Sequence, residues 1–446
     1  MRHRHDISST ASTGRSRSPW FWIPTLYIAE GLPYFAVNTL TVLMYVNMNV
    51  SLTDMAFFTG WLYLPWVIKP FWSPFIDLFK TKRAWTIAME GIICLMMAAV
   101  GFLLPLSFFF AATLVCFWIM AFASATHDIA ADGYYMLELS DHDQAAYVGV
   151  RSTFYRIASV IGQGGLVMLA GHLEETTGNV PGSWKTVFLL LAGLFLCITL
   201  YHTRFMPKAV SDRPVPGVTA RTIVKDFAMT FVTFFKKPGI VAALCFMLLY
   251  RLPEALCLKL VQPFLVSPLA DGGLGLTTKE VGFVNGTIGV ITLLAGGILG
   301  GIAISRGGLK KWLWPMALSL TLPCAVYCWL SMAQPQNFSL ICTAIGFEQF
   351  GYGFGFTAFM LYLIYFSRGE NKTSHYAFCT AFMALGMMLP GMAAGWLHET
   401  VSNFNIFGLG GPQGYINFFW IVVLSCIVTF AVCLSVKIDP QFGKKE

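Results

Sequence analysis

Long apolar runs alternate with short polar breaks along the chain. The runs fall at about 20–47, 56–77, 85–105, 107–138, 146–171, 184–204, 238–266, 280–305, 311–333, 338–367, 374–399 and 415–437. Each is long enough to cross a hydrocarbon core of about 30 Å as a helix. Helices are required because lipid cannot satisfy exposed backbone N–H and C=O groups. The pattern predicts an all-α membrane protein with twelve spans. One stretch interrupts it: residues 206–237 are polar and carry Pro207, Pro214, Pro216 and Gly217. The expected division is a tail at 1–19, a six-helix half at 20–205, a linker at 206–237, a second six-helix half at 238–437 and a tail at 438–446.

Composition agrees with the pattern. Of 446 residues, 56% are hydrophobic and 11% charged, against roughly 25% charged in soluble proteins; mean hydropathy is +0.66. An ordinary soluble enzyme, a disordered chain and a fibrous one are excluded. The net charge of +7 gives no argument for nucleic acid, because its distribution explains it. Twenty-two lysines and arginines sit in the two tails and in the breaks after spans 2, 6, 8 and 10, whereas the opposite breaks hold Lys185 and Lys279. Basic loops stay on the cytoplasmic side, so both termini are expected there. The N-terminal tail has no cleavage site of the secretory kind, so the first span is expected to stay in the protein. Eleven cysteines lie in apolar runs without zinc-ligand spacing, and read as small core residues rather than metal ligands or disulfides. Six spans, a basic linker and six spans is the plan of the major facilitator fold, whose halves rock about a central site. Spans 2 and 8 each end in a basic turn, Asp77 followed by Lys82-Arg83 and Gly300-Gly301 followed by Arg306 and Lys310-Lys311. Both resemble that superfamily's loop motif, and topology control alone would also explain them.

Ionisable groups inside spans are costly and mark candidate sites, or else structural ion pairs. Span 4 reads Ser124-Ala125-Thr126-His127-Asp128-Ile129-Ala130-Ala131-Asp132. Asp128 and Asp132 share a helix face. Two carboxylates so close favour one of them holding a proton, which suits proton coupling; neutralisation by arginine is the alternative. His127 would add a titrating group or be a hydrogen-bonded neutral side chain. Span 5 offers Arg151 and Arg156, about 140° apart, one able to meet span 4 and the other an anionic substrate. In span 7, Arg251 and Glu254 are spaced to pair, Pro253 interrupts the helix and Lys259 follows. Span 1 has the matching device Glu30-Gly31-Leu32-Pro33-Tyr34. Lys69 lies between Pro65 and Pro70, and Glu348 precedes Gly351, Gly353 and Gly355, read as a flexible segment. Tyr34, Tyr155, Tyr250 and Tyr352 are candidates for stacking on sugar rings.

At these residues the chain resembles the AmpG muropeptide permease family of the major facilitator superfamily, related more distantly to the acetyl-CoA transporters. The resemblance runs over nearly all the spans. It rests on Gly31-Leu32-Pro33, on Lys69-Pro70-Phe71-Trp72-Ser73-Pro74-Phe75-Ile76-Asp77, on the span 4 motif, and on Tyr155-Arg156 and Tyr250-Arg251-Leu252 with Glu254. Glu280-Val281-Gly282 with Asn285, and Ala393-Ala394-Gly395-Trp396 with Glu399, extend it. It implies a monomeric inner-membrane importer of GlcNAc-1,6-anhydroMurNAc-peptides, driven by the proton gradient without other cofactor, serving cell-wall recycling and β-lactamase induction. Asp128, Asp132 and His127 would form the proton-linked site. Glu30, Tyr34, Lys69, Arg151, Tyr155, Arg156, Arg251, Glu254, Lys259 and Glu348 would contact substrate or gate it. Glu30, His127, Arg151 and Lys259 depart from the family pattern. They keep open another oligosaccharide or an acyl-CoA-type anion as cargo. A sensor without transport has no need of buried charges in both halves, and a membrane enzyme would want a nucleophile–base set or metal cluster that the sequence lacks.

Overall fold

The computed structural model describes residues 18–139, 141–208, 220–369, 372–404 and 413–443. The N-terminal tail, residues 209–219 of the linker and the side chains of Asp77 and Asp141–Asp143 lie outside the described residues. Helices account for almost all of the rest. They are α1 (23–47), α2 (52–79), α3 (Lys82–Leu103), α4 (Phe109–Glu138), α5 (141–177), α6 (Val180–Phe205), α7 (Ala220–Phe235), α8 (Ile240–Val266), α9 (Thr278–Gly307), α10 (Leu309–Ala333), α11 (Phe338–Ser367), α12 (Lys372–Ser402) and α13 (Gly414–Ser435). Among the described residues, ten of these are long and apolar enough to cross a membrane. The other three are α1, with a π-helical turn at Ala36–Leu40, α2, broken at Leu62–Tyr63, and α7. That last helix lies within the 206–237 linker. Phe227 of α7 packs against Phe71 of α2 and Phe378 of α12, which gives its aromatic face a reason to form.

Short polar residues start the helices. Ser51 accepts from the Asp54 amide, Thr81 from Ala84, Asn179 from Gly182, Asn337 from Ser339, and Thr277 forms a reciprocal capping box with Glu280. Each cap contributes about 1 kcal/mol. Gly178, at φ +64°, ends α5 in the left-handed conformation and lets the chain turn into α6.

The cores show where the two halves meet. One large buried cluster joins residues of α1, α3, α4, α5 and α6 to residues of α8, α9, α10, α11, α12 and α13. Its members lie toward the end that carries the 48–51, 178–179 and 267–277 connections, here called end A. Toward the opposite end, end B, the core is divided. Trp22, Tyr27, Tyr134 and Tyr135 pack with Met206 in the first half. Phe246, Tyr250, Leu313, Phe359 and Cys433 pack separately in the second. Small residues allow the close approach at end A: Gly164 of α5 lies on Gly286 of α9, Gly171 on Lys279, Gly282 on Met168, and Gly395 of α12 on Leu52 of α2. Both α5 and α9 carry a π-helical turn there, Val160–Leu166 and Val284–Gly289.

Candidate functional site

Several charged side chains at mid-helix keep access to solvent, which hydrocarbon could not supply. Lys69 and Arg151 are each about one third exposed, Asp132 similarly, and Asp128 less; Arg156 is exposed. Lys69, Asp128, Asp132 and Arg151 form two ion pairs within the first half.

In the first half, α4 contributes both aspartates. Asp128 accepts a hydrogen bond from the Trp66 indole N–H at 3.1 Å and lies 3.8 Å from the Lys69 ammonium. Asp132 accepts from the Tyr27 hydroxyl at 3.2 Å and pairs with the Arg151 guanidinium at 2.8 Å. Arg151 in turn lies over the Tyr27 ring, 4.6 Å from its centroid. Each aspartate therefore has its own cation, Lys69 for Asp128 and Arg151 for Asp132. Arg151 is the span 5 arginine that meets span 4; Arg156, on another face, has no hydrogen bond or ion pair among the described residues. Tyr34 hydrogen-bonds Tyr63 at 2.6 Å and packs edge-on to Trp66. Tyr155 lies against Phe35 and beside Gly31. Glu30 is 9% exposed, and its Oε2 is sealed with no hydrogen-bond partner among the described residues.

His127 does not join this cluster. One residue from Asp128, it is rotated by about 100° around the helix and points into the bundle. There its Nε2 is 3.2 Å from Glu90 Oε1, which is 2.6 Å from Nδ1 of His202; His202 Nε2 reaches Thr25 Oγ1 at 2.8 Å. Glu90, His127 and His202 are fully buried. Of the two readings of His127, the geometry fits the hydrogen-bonded one, in a chain tying α1, α3, α4 and α6. Glu90 and His202 escaped the sequence reading, although both were legible as ionisable residues inside spans.

In the second half, the interruption around Tyr250–Arg251 separates two helical segments, with Pro253 in the first turn of the second. Arg251 donates to both oxygens of Glu254 at 2.8 and 2.6 Å and to the Tyr352 hydroxyl at 3.0 Å, and lies 4.7 Å over the Phe356 ring. Bidentate pairing with a ring beneath is how a buried guanidinium is held. Glu348 accepts from the Tyr327 hydroxyl at 3.0 Å and from Gln349 at 2.8 Å. Lys259, 7% exposed, donates to Thr59 of α2 at 3.0 Å, across the seam between halves, and has no carboxylate partner among the described residues.

Two sequence expectations change here. Tyr250 is buried against Phe359 in the second-half core, away from any sugar. Gly351, Gly353 and Gly355 do not form a flexible segment: α11 is continuous, and these positions meet the backbones of Ser319, Leu293 and Met316. They permit helix contact.

End A is closed by a further polar knot. Glu174 of α5 accepts from Asn47 at 3.0 Å, from the Trp184 indole at 2.7 Å and from the Thr278 hydroxyl of α9 at 2.5 Å, while Asn47 also donates to Thr278 at 2.7 Å.

Solved structures share this arrangement. The nucleoside transporter NupG superposes with a TM-score of 0.68 at 14% identity, covering 94% of this chain and 99% of that one. A D-xylose–proton symporter gives 0.69 at 11% identity, covering 96% and 99%. Among curated relatives, the anhydromuropeptide permease of Escherichia coli (strain K12) is 28% identical over 386 residues, covering 84% of this chain and 73% of its own length. A putative transporter AmpG 4 of Rickettsia conorii is 26% identical over 381 residues, covering 82% and 86%. The Major Facilitator Superfamily model matches residues 25–365. The helical fold is thus a shared one, and the family model covers most of the chain: this multi-pass membrane protein belongs to the major facilitator superfamily.

Proposed function

We propose that the chain imports anhydromuropeptides released by cell-wall turnover, across the inner membrane and coupled to protons. The observation that carries the cargo is the relationship to permeases of that name over more than four fifths of the chain. The site is chemically suited to it. Such a glycopeptide presents apolar sugar faces, hydroxyls and carboxylates. Tyr34, Tyr63, Trp66 and Tyr155 offer ring faces and hydroxyls, and Arg156 is a guanidinium free to bind a carboxylate.

With the basic loops in the cytoplasm, end A faces the periplasm and end B the cytoplasm, so the structure is in the inward-open state. The Glu174 knot and the glycine seam then form the closed outer gate. Proton coupling falls to the carboxyl cluster around Asp128 and Asp132, in which Lys69 and Arg151 serve as exchangeable counter-ions. The Arg251–Glu254 pair holds the second-half wall opposite. Passage of cargo by this route feeds cell-wall recycling and the induction of β-lactamase.

Uptake of labelled GlcNAc-1,6-anhydroMurNAc-peptide into proteoliposomes, with and without an inward proton gradient and beside an unrelated disaccharide, tests the reading. Gradient-stimulated uptake of the muropeptide alone is expected. Uptake of the disaccharide instead, or no uptake by demonstrably folded protein, overturns the cargo assignment.

A further inference from the structure

Among the described residues the π-helical turns number three, and each carries one carboxamide side chain inside an apolar span. Ala36–Leu40 of α1 holds Asn38, Val160–Leu166 of α5 holds Gln163, and Val284–Gly289 of α9 holds Asn285. Such turns are rare and concentrate at functional sites. The α5 turn touches the other two. Gly286 of α9 lies on Gly164 and on the backbone of Gln163, and Gly162 of α5 lies on Phe35, next to the α1 turn.

Helix register places the three carboxamides on one side and at one depth. Here α5 and α9 run antiparallel, with Gly171 on Lys279 and Gly164 on Gly286. Residues that immediately precede two facing positions of an antiparallel pair project to the same side of it, so Gln163 and Asn285 do. Gly165, on the opposite side, is exposed, with no neighbour where a Cβ would stand. Gln163 shares a face of α5 with Ser159, and donates to the Ser159 hydroxyl at 2.9 Å. Asn38 stands one turn beyond Tyr34 on α1 and donates to the Tyr34 carbonyl at 3.0 Å. All three lie roughly two to three turns below the knot of Glu174, Asn47 and Thr278. Much of their hydrogen-bonding capacity is unspent. Among the described residues, Asn38 Oδ1 has no donor, and the half-buried Asn285 makes no side-chain hydrogen bond.

We infer that Asn38, Gln163 and Asn285 recognise the sugar end of the cargo, which therefore lies with its glycan beneath the outer gate and its peptide toward end B. The inference rests on the proposed cargo and adds its orientation. A carboxamide presents a donor and an acceptor in one plane without charge, which matches hydroxyl and acetamido groups. It gives a peptide carboxylate no counter-ion. Lys259, at a similar depth, is buried against Thr59. The exposed Arg156 lies about two turns from Gln163 toward end B. Tyr34, between the two levels, offers a ring to an apolar sugar face.

Binding of two labelled ligands to the purified protein in detergent tests the orientation. One is GlcNAc-1,6-anhydroMurNAc-peptide. The other is the same disaccharide with its lactyl carboxyl capped as an amide, so that it has neither peptide nor charge. Gln163→Met and Asn285→Leu keep side-chain volume and remove the carboxamide. Each should weaken both ligands by the same factor, roughly threefold to tenfold for a lost hydrogen bond. Gln163→Asn should weaken them less than Gln163→Met. Arg156→Gln should weaken the glycopeptide and leave the capped disaccharide unchanged; this arm is read even if a carboxamide variant fails to fold. Unchanged affinity for the capped disaccharide in both carboxamide variants overturns the sugar assignment. Equal weakening of both ligands by Arg156→Gln overturns the orientation. Wild type that binds neither ligand overturns the cargo reading and takes this inference with it, whereas wild type that binds both separates the two.

Discussion

Glu90 illustrates how far single residues could be read in advance. A carboxyl inside span 3 is visible in the sequence, as is a histidine in span 6, but their meeting depends on the rotation of four helices. The same rotation separates His127 from its neighbour Asp128. The Arg251–Glu254 pair was legible because both ends lie on one helix at i,i+3; Arg151–Asp132 was legible only as a span 5 arginine able to meet span 4, and Lys69–Asp128 was not, because each joins two helices. The buried chain makes a stability prediction. Glu90→Leu removes the acceptor of two enclosed histidines. Stranding buried polar groups in this way costs about 2–4 kcal/mol, so the thermal midpoint in detergent should fall by several degrees. Adding His127→Leu and His202→Leu should recover most of the loss, since apolar replacement of a whole buried network is often neutral. A triple variant no more stable than the single would instead give the histidines a role independent of Glu90.

Elements were more legible than partnerships. The run at 338–367 is the helix Phe338–Ser367, since apolar length and an Asn337 cap both sit in the local sequence. The tenth span's glycines were visible too, yet their use was not, because a glycine that permits backbone contact and one that permits bending look alike until the neighbour is known. The α5–α9 seam is the clearest instance. A Cβ on Gly286 would collide with the backbone of Gly164 and Gln163, and backbone, unlike a flexible side-chain tip, cannot move aside cheaply. Gly286→Val should therefore prevent the two helices from closing at end A. Spin labels at Thr177 and Leu269, in different halves at that end, should report a longer distance in the variant than in the wild type. An unchanged distance would mean that the seam can shift along the helices to accommodate the side chain.

For the whole molecule, the question is what each state does with Lys259. In the closed outer gate it is a buried ammonium held by one hydroxyl, Thr59, which itself donates to the Met55 carbonyl. A charge so placed is destabilising compared with an apolar side chain of similar volume. Opening end A draws α2 away from α8, breaks the contact and leaves the ammonium facing cargo that enters from outside. In the transport cycle proposed above, the residue then costs stability with end A closed and contributes attraction for carboxylates with end A open. Lys259→Met should accordingly move two measurements in opposite senses. The thermal midpoint of the inward-open protein should rise, while the KM for anionic cargo supplied from the end A side increases and that for a neutral analogue does not. Equal changes in KM for both cargoes would make Lys259 a packing residue of the gate. A lowered thermal midpoint would mean that its bond to Thr59 holds the outer gate shut more firmly than its burial strains it.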